Sequence, residues 1–369
     1  MAAGAADARL VPVRMSLTKP IALGIETSCD DTACAVVDGD GCVLSSAVSS
    51  QLEAHRPFGG VVPEIASRQH LRNWPAVSAA ALQEAGVALS DMDIIAATKG
   101  PGLIGSLLVG LSLGKAIAYA QGSRFHAVHH LEGHLFSPFL RAAGEKAERP
   151  PDEFIGLVVS GGHTSLFRVK SEETTTLAET RDDAMGEVFD KVGKRLGLPY
   201  PQGPLVDELA ESGDDAAVKL AVARCSDGSL DFSYSGLKSQ TLVEIQKLEA
   251  AGIETGLGEA TASEVPGPIL DVLAGFRKAA VGQLVERLER LRKQQSIRQL
   301  AVSGGVAANR LLRPTLEAWA REREVDLRLV SLQYAGDNAA MIAHAALLRD
   351  ERGLADDPRD ADAASRIPL

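Results

Sequence analysis

Two histidines four residues apart, His130 and His134, form the most informative chemical pattern in the sequence. If the segment is helical, both imidazoles lie on one face, one turn apart, and can reach the same metal ion. Zinc proteases also have this spacing, but their catalytic glutamate directly follows the first histidine. Here Glu132 is rotated about 200° from His130 and cannot activate a water on that ion. The pattern indicates a metal site without a protease base or, alternatively, a helix with two surface histidines.

Three short apolar strands are each predicted to run into a small polar loop. The loops contain Glu26-Thr-Ser28, Ser160-Gly-Gly162 and Ser303-Gly-Gly305. Glycine removes the Cβ that would block a ligand from backbone N–H groups, and serine adds a hydroxyl donor. One such loop is commonly just a tight turn. Three of them, in two halves of similar strand order, favour two related lobes around a cleft. That is the α/β architecture of the actin-like and sugar-kinase ATPases (the ASKHA fold), and it concerns fold more than function.

Alternating strands and helices must position these residues. Residues 21–50 predict a three-stranded meander, and 64–85 a helix that Pro75 ends or restarts. Residues 250–268 are rich in Gly, Glu and Thr and predict a mobile linker. Further strands are predicted at residues 93–98, 125–128, 154–160, 165–169 and 299–303, and further helices at 182–196, 270–294 and 337–348.

Composition indicates a soluble globular protein in a reducing compartment. The chain has 369 residues, of which 45% are hydrophobic and 24% charged. The net charge of −11 argues against a general nucleic-acid coat protein, although a local basic groove stays open. Only 4% of residues are aromatic, so base-stacking platforms should be few. The four cysteines form no CxxC pair, which favours buried thiols.

No segment predicts a membrane or secretory location. The first nineteen residues contain no apolar core long enough for a secretory signal. The apolar run at 103–120 superficially resembles a membrane helix, but Lys115 interrupts it and Gly100-Pro-Gly102 precedes it. We therefore expect a buried core helix and a cytoplasmic protein.

Nine ordered motifs between about residues 21 and 350 resemble one family closely. That family is the universal tRNA N6-adenosine threonylcarbamoyltransferase (TsaD, bacterial type), formerly described as an O-sialoglycoprotein endopeptidase. The motifs are GIETSCDDTA (24–33), PEIASRQH (63–70), KGPGLIGSLLVG (99–110), HHLEGH (129–134), VVSGGHT (158–164), GEVFDKVGKRLGLPYPQGP (186–204), FSYSGLK (232–238), SGGVAANRLLR (303–313) and GDNAAMIA (336–343).

The resemblance implies one iron or zinc ion per chain, held by His130, His134 and Asp337. Two imidazoles and one carboxylate with open positions suit Fe(II) or Zn(II). Asp337 has the alternative role of a helix N-cap. His163 is interpreted as a hydrogen-bonded loop residue and is left out of the metal set. No catalytic residue is assigned beyond the metal centre.

The resemblance also implies a set of contacts to threonylcarbamoyl-AMP. The SGG loop suits phosphate or carbamoyl oxygens, the two aspartates suit ribose hydroxyls, and the asparagine suits a purine or ribose edge. The implied contacts are Val158, Val159, Ser160, Gly161, Gly162, Asp190, Gly203, Asp207 and Asn309.

Two positions depart from the family pattern, and several basic residues lie beside the motifs. Gln202 stands where the family commonly has glycine, and Met185 where it has a small residue; modest local adjustment is expected. The basic residues are either solvated faces or a local surface for a tRNA anticodon stem. They are Lys191, Lys194, Arg195, Arg310 and Arg313.

The implied reaction transfers a threonylcarbamoyl group from threonylcarbamoyl-AMP to N6 of adenosine 37, in tRNAs that read ANN codons, with release of AMP. Implied partners are tRNA, a TsaB-like paralogue and a TsaE-like ATPase, without a membrane. Two alternatives stay open: a metal-dependent peptidase, disfavoured by the position of Glu132, and a non-catalytic ATP-binding scaffold, disfavoured by the paired histidines.

The chain is expected to divide into two lobes with flexible ends. Residues 1–20 form a flexible extension and 351–369 a flexible acidic tail. The N-terminal lobe takes 21–129 and is completed by residues 334–350. The C-terminal lobe, 130–333, carries the metal and nucleotide loops.

Overall fold

The computed structural model describes residues 19–142, 145, 149–171, 173–222, 224, 225 and 227–369. The extension expected at residues 1–20 lies outside the described residues, apart from its last two. Within the described part of the chain, two mixed β-sheets are covered by helices.

The first sheet has six strands in the order β5-β4-β1-β2-β3-β6. Strand β1 pairs antiparallel with β2 and parallel with β4, and β2 pairs antiparallel with β3, which confirms the predicted meander. The strands are β1 (Ile21–Glu26), β2 (Asp31–Asp38), β3 (Cys42–Ser50), β4 (Ile94–Gly100), β5 (Arg124–His129) and β6 (Arg141–Ala142).

The second sheet has five strands in the order β11-β10-β7-β8-β9. Its centre, the parallel pair β7 and β10, ends at the two SGG sequences, so both loops leave the same edge of the sheet. Strands β9 and β11 are half-exposed edge strands that the sequence analysis missed. The strands are β7 (Glu153–Val159), β8 (Thr164–Lys170), β9 (Glu173–Glu179), β10 (Gln299–Ser303) and β11 (Asp326–Leu329).

Ten α-helices pack on the sheets in the described residues. They are α1 (Leu52–His55), α2 (Pro63–Ala85), α3 (Ile104–Gln121), α4 (His130–Phe136), α5 (Met185–Arg195), α6 (Gln202–Leu209), α7 (Ser235–Ala250), α8 (Gly267–Gln294), α9 (Leu312–Glu322) and α10 (Ala339–Asp350).

Helix α2 continues through Pro75, so the predicted end or restart there is wrong. A proline inside a helix removes one hydrogen bond and costs about 3 kcal/mol or more. The buried face of α2, which includes Ala66, His70, Val77 and Ala81, packs on the first sheet and offsets that cost.

Helix α3 is the single helix in the described residues that is long and apolar enough to span a membrane by length and composition. One face of it packs as a core helix. A Cβ at Gly110 would lie 2.3 Å from Thr27 Oγ1, and one at Gly114 3.0 Å from the Ala97 side chain. These glycines let α3 approach the sheet closely.

Helix α10 packs against β1 and α4 at the same time. A Cβ at Gly24 of β1 would lie 2.1 Å from the carbonyl oxygen of Ala339, and one at Gly133 of α4 2.9 Å from Ile342 Cδ1. Both glycines permit close contact, so the start of α10 is held beside α4.

The acidic tail, which composition predicts to be flexible, lies along the first sheet and is hydrogen-bonded to it. The Asp356 N–H donates to the Phe125 carbonyl on edge strand β5, and the Ala364 N–H donates to the Lys99 carbonyl. His129 Nε2 lies 3.1 Å from the carbonyl oxygen of Ile367. The edge strand of a sheet has unpaired N–H and C=O groups that can bind such a tail, and amino-acid composition alone does not predict these hydrogen bonds.

Candidate metal centre and nucleotide cleft

Helix α4 carries both histidines of the predicted metal site. The imidazole of His129 caps it by accepting a hydrogen bond from the Leu131 N–H at 3.1 Å, so the helix begins at His130. The rings of His130 and His134 lie perpendicular with centroids 4.7 Å apart. Both side chains are buried. The helical spacing is confirmed, and the reading as two surface histidines is wrong.

Asp337 joins the two histidines from the segment before α10. Its Oδ1 lies 3.1 Å from His134 Nε2 and 3.5 Å from His130 Nε2. The ligand atoms of the three residues all lie within 4.8 Å of one another. Asn338, not Asp337, caps α10 by accepting from the Met341 N–H. The Asp337 carboxylate is therefore free to face the histidines.

Glu26, at the end of β1, lies behind His130 and was not assigned a role from the sequence. Its Oε2 is 3.1 Å from His130 Nδ1 and accepts a hydrogen bond from Thr98 Oγ1 at 2.6 Å. The Oγ of Ser28 lies 3.3 Å from the same ring nitrogen. The available signal was a carboxylate at the end of a wholly apolar strand, where it is buried. Such a partner orients a metal-binding imidazole.

The carboxylates of this centre favour a positive charge beside them. Burial alone would lower the pKa of His130, but the carboxylates of Asp337 and Glu26 outweigh it and raise the pKa to about 9. Burial opposes ionisation of Asp337, yet the two histidines hold its pKa well below the usual range. Two imidazoles with a carboxylate are a donor set that suits a divalent transition metal. The residues present therefore fit the implied ion.

Glu132 points away from this centre. Its carboxylate lies 3.5 Å from the Arg349 guanidinium, on the other side of α4, and burial raises its pKa. The prediction that Glu132 does not face the histidines is confirmed.

His163 lies in the SGG loop, close enough to the three predicted ligands for their charges to act on its imidazole. Its N–H donates to Ser160 Oγ at 3.1 Å, and its carbonyl accepts from the Ser160 N–H. Burial, with His130 and His134 nearby, lowers its pKa to about 4, so it is neutral at pH 7. These backbone hydrogen bonds place His163 in the loop, and its exclusion from the metal set stays a prediction.

A cleft of about 360 Å³ lies between α5, α6 and the loop after β10. Five residues of the predicted substrate set line it: Gly161, Asp190, Gly203, Asp207 and Asn309. A Cβ at Gly161 or Gly162 would meet no atom within 4 Å, so this loop faces open space.

The three polar residues of the predicted substrate set that line the cleft are already hydrogen-bonded to the chain. Asp190 Oδ1 accepts from the Gly203 N–H at 2.7 Å. Asp207 accepts from Asn309 Nδ2 at 2.6 Å, and from the backbone of Arg310. Each carboxylate has further lone pairs for a ligand hydroxyl, and these contacts hold the side chains in place.

Of the four predicted substrate residues that do not line the cleft, three lie at the end of β7 and Gly162 follows them in the loop. Val158 and Val159 are fully buried in the sheet, and Ser160 is 8% exposed. A Cβ at Gly304 would lie 2.2 Å from the carbonyl oxygen of Val159, so the two SGG loops are in direct contact. The valines shape the floor of the loop and present no side chain to the cleft.

The two residues that depart from the family pattern, Met185 and Gln202, are both buried. Met185 is fully buried, and its N–H donates to Thr164 Oγ1. The Gln202 side chain is also buried, with its amide 3.4 Å from the Leu198 carbonyl.

Most of the basic residues singled out in the sequence are neutralised by neighbours. Lys191 pairs with Asp183 and Glu187, Arg195 with Glu249, and Arg310 with Glu208 and Glu211. Arg313 donates to two backbone carbonyls. Lys194 makes no ion pair with any described residue; its Nζ lies 3.3 Å from the Gly59 carbonyl.

Comparison with known proteins agrees with this geometry. The family model described as TsaD, tRNA N6-adenosine threonylcarbamoyltransferase, matches residues 42–344. The chain belongs to this family. A relative of that name from Pelobacter propionicus is 46% identical over 88% of this chain and 90% of its own length. One from Syntrophobacter fumaroxidans is 46% identical over 94% and 99%.

A solved structure, HypF from T. kodakarensis, supports the fold. It superposes with a TM-score of 0.58 at 14% identity, over 91% of this chain and 48% of the HypF chain. At this identity the likeness concerns the fold alone. Together with the two mixed α/β sheets it identifies the predicted ASKHA architecture.

Proposed function

We propose that this chain transfers a threonylcarbamoyl group from threonylcarbamoyl-AMP to N6 of adenosine 37 in tRNAs reading ANN codons. Transfer to tRNA adenosine is the activity in its family's name. The observation that carries the assignment to particular residues is the convergence of His130, His134 and Asp337 near the SGG loop, of which Gly161 lines the cleft. These three residues hold one iron or zinc ion.

The reaction needs orientation and electrophilic help because the N6 amine is a poor nucleophile. Its lone pair is delocalised into the purine. N6 attacks the carbamoyl carbon, the bond from that carbon to the AMP phosphate oxygen breaks, and N6 loses a proton. When bound, the divalent ion supplies polarisation of the carbonyl or an anchor for the threonyl carboxylate and hydroxyl.

The chain's own residues bind and align the donor. The open Gly161 and Gly162 let phosphate or carbamoyl oxygens approach the backbone N–H groups of the loop. Asp190 and Asp207 accept hydrogen bonds from ribose hydroxyls, and Asn309 contacts the nucleoside edge. Glu26 holds the His130 ring with Nε2 toward Asp337. Fixing both reactants in this way lowers the entropic part of the barrier.

The family also suggests partners and a compartment. We place the protein in the cytoplasm, where tRNA is modified, working with a TsaB-like paralogue and a TsaE-like ATPase. Peptidase activity is not proposed, since Glu132 is engaged with Arg349.

Nucleoside mass spectrometry of tRNA from cells depleted of the protein tests this function. The threonylcarbamoyl nucleoside should fall as the protein is lost, and return with wild-type protein but not with His134→Ala. Unchanged modification in cells that lack the protein would overturn the proposal.

A further inference from the structure

Phe58 is an exposed aromatic side chain in a chain that has few. It is 58% exposed, and Tyr119 is the other exposed aromatic among the described residues. Phe58 ends a short 3-10 turn, Arg56–Phe58, and is followed by Gly59 and Gly60 with φ of 63° and 158°. The two glycines turn the chain sharply and leave the ring in solvent.

The loop that carries Phe58 stands on a buried hydrogen-bond network. His55 is fully buried, and its Nδ1 accepts from the Val62 N–H at 3.2 Å, which ties the two ends of the loop together. Gln51 connects His55 to His70, and His70 Nε2 lies 3.1 Å from the Cys29 carbonyl. The exposed ring is therefore anchored to the polar loop after β1.

The same loop contacts helix α5, which borders the cleft. The Gly59 carbonyl is 3.3 Å from Lys194 Nζ, and Lys194 lies one helical turn after Asp190, which lines the cleft. A second cross-lobe contact joins Tyr200 Oη to Asp30 Oδ2 at 3.2 Å. The loop that carries Phe58 is therefore in contact with the helix whose Asp190 lines the cleft.

Two basic side chains lie near Phe58. Arg56 is half-exposed, and among the described residues its ion-pair partner is the exposed Glu53 at 3.4 Å. Lys194 has no acidic partner in the described part of the chain, unlike its neighbours Lys191 and Arg195. An aromatic face with nearby cations is the combination that binds single-stranded nucleic acid, since the ring stacks on a base and the cations neutralise phosphates.

We infer that Phe58 is a stacking platform for an unpaired base of the tRNA anticodon loop, with Arg56 and Lys194 contacting the flanking phosphates. The inference rests on the proposed function, because it takes the tRNA acceptor as the strand that enters the cleft. Phe58 then fixes the position of the anticodon loop relative to the reacting adenosine. It is a substrate-positioning residue outside the donor site.

Binding of a fluorescently labelled, unmodified anticodon stem-loop tests this role directly. The full chain is used with its partner proteins. Phe58→Ala should weaken binding about ten- to a hundredfold, while Phe58→Trp stays within about threefold of wild type. Tyr119→Ala is the matched control for an exposed aromatic and should bind as wild type does. Affinity for threonylcarbamoyl-AMP should be unchanged in all variants, which excludes a general structural defect.

The charge contacts have their own readout, the salt dependence of stem-loop binding. Lys194→Gln should reduce the slope of log affinity against log salt by about 0.7, as expected for one lost contact to a single-stranded phosphate. Arg195→Gln, which removes a guanidinium already paired with Glu249, should leave the slope unchanged.

If the Phe58→Ala protein bound the stem-loop with wild-type affinity, the inference would be overturned. It would also be overturned if the Phe58→Trp protein bound as weakly as Phe58→Ala is expected to. A wild-type protein that binds no stem-loop would overturn it as well. If the wild type binds with the expected variant pattern yet transfers no threonylcarbamoyl group, the stacking role stands and the proposed function falls.

Discussion

At the scale of single residues, the contact between Glu26 and His130 fixes the orientation of the His130 ring in the candidate metal centre. A proton on His130 Nδ1 donated to the Glu26 carboxylate leaves Nε2 to face Asp337. Carboxylate partners of this kind fix the tautomer and raise the basicity of a metal-binding imidazole. The sequence placed Glu26 in a polar loop but did not pair it with His130. The pairing depends on a contact across 104 residues of sequence.

Glu26→Gln should therefore weaken metal binding about ten- to a hundredfold while the protein stays folded. Calorimetric titration of the metal-free protein with Zn²⁺ measures the change in zinc affinity. Glu132→Gln is the control, since that carboxylate is also largely removed from solvent, with its side chain 15% exposed, but faces Arg349. Equal zinc affinity in the Glu26 and Glu132 variants would contradict the role of Glu26.

Asp31 gives the stability of the protein a predictable pH dependence. Burial raises its pKa from 3.8 to about 6, and one of its oxygens is buried without a partner in the described residues. Because the folded-state pKa lies above the unfolded one, the folded form binds the proton more tightly between about pH 4 and 6. The contribution of Asp31 to stability therefore falls as pH rises through this window and stays unfavourable above it.

Asp31→Asn should remove this contribution. At pH 8 the variant should be more stable than wild type by on the order of 2 kcal/mol, with the difference shrinking toward pH 4. Denaturant unfolding of both proteins at pH 4, 6 and 8 measures it. A stability difference that does not change with pH would show that Asp31 does not titrate in this way.

At the scale of elements, α10 fixes the geometry of the site by packing on β1 and α4 together. Asp337 reaches the histidines because Asn338 caps α10 and Gly24 admits its first turn. Hydrophobic periodicity predicted α10, α8 and the buried strands of both sheets, since it reports which faces are buried. It did not predict the continuous α2, the edge strands β9 and β11 or the docked tail. Those depend on packing partners that are distant in sequence.

Gly24→Ala should destabilise the protein strongly. The added Cβ would lie 2.1 Å from a backbone oxygen, which cannot move without shifting α10. We expect a loss of about 3 kcal/mol or more, with reduced metal binding because Asp337 moves with the helix. Gly236→Ala in α7 is the control: its Cβ meets no atom within 4 Å, and it should be neutral or stabilising by up to about 1 kcal/mol. Thermal unfolding that ranks the two variants equally would contradict this account.

At the scale of the whole molecule, the two sheets bring together loops that lie far apart in the sequence. Glu26 ends a strand of the first sheet, and the two SGG loops end neighbouring strands of the second. The three residues of the candidate metal centre and the open glycines were predictable because short motifs carry them. The contacts that join the lobes, Tyr200 with Asp30 and Lys194 with Gly59, were not, because each depends on how the finished lobes meet.

The most direct test of the central claim is transfer to tRNA by purified components. Unmodified tRNA containing adenosine 37 is incubated with threonylcarbamoyl-AMP, the partner proteins and this chain, and the nucleosides are measured by mass spectrometry. Wild type and Glu132→Gln should form the threonylcarbamoyl nucleoside at similar rates, and Asp337→Ala should be slower by at least about a hundredfold. Wild-type rates from Asp337→Ala, or no product from the wild type, would contradict the account.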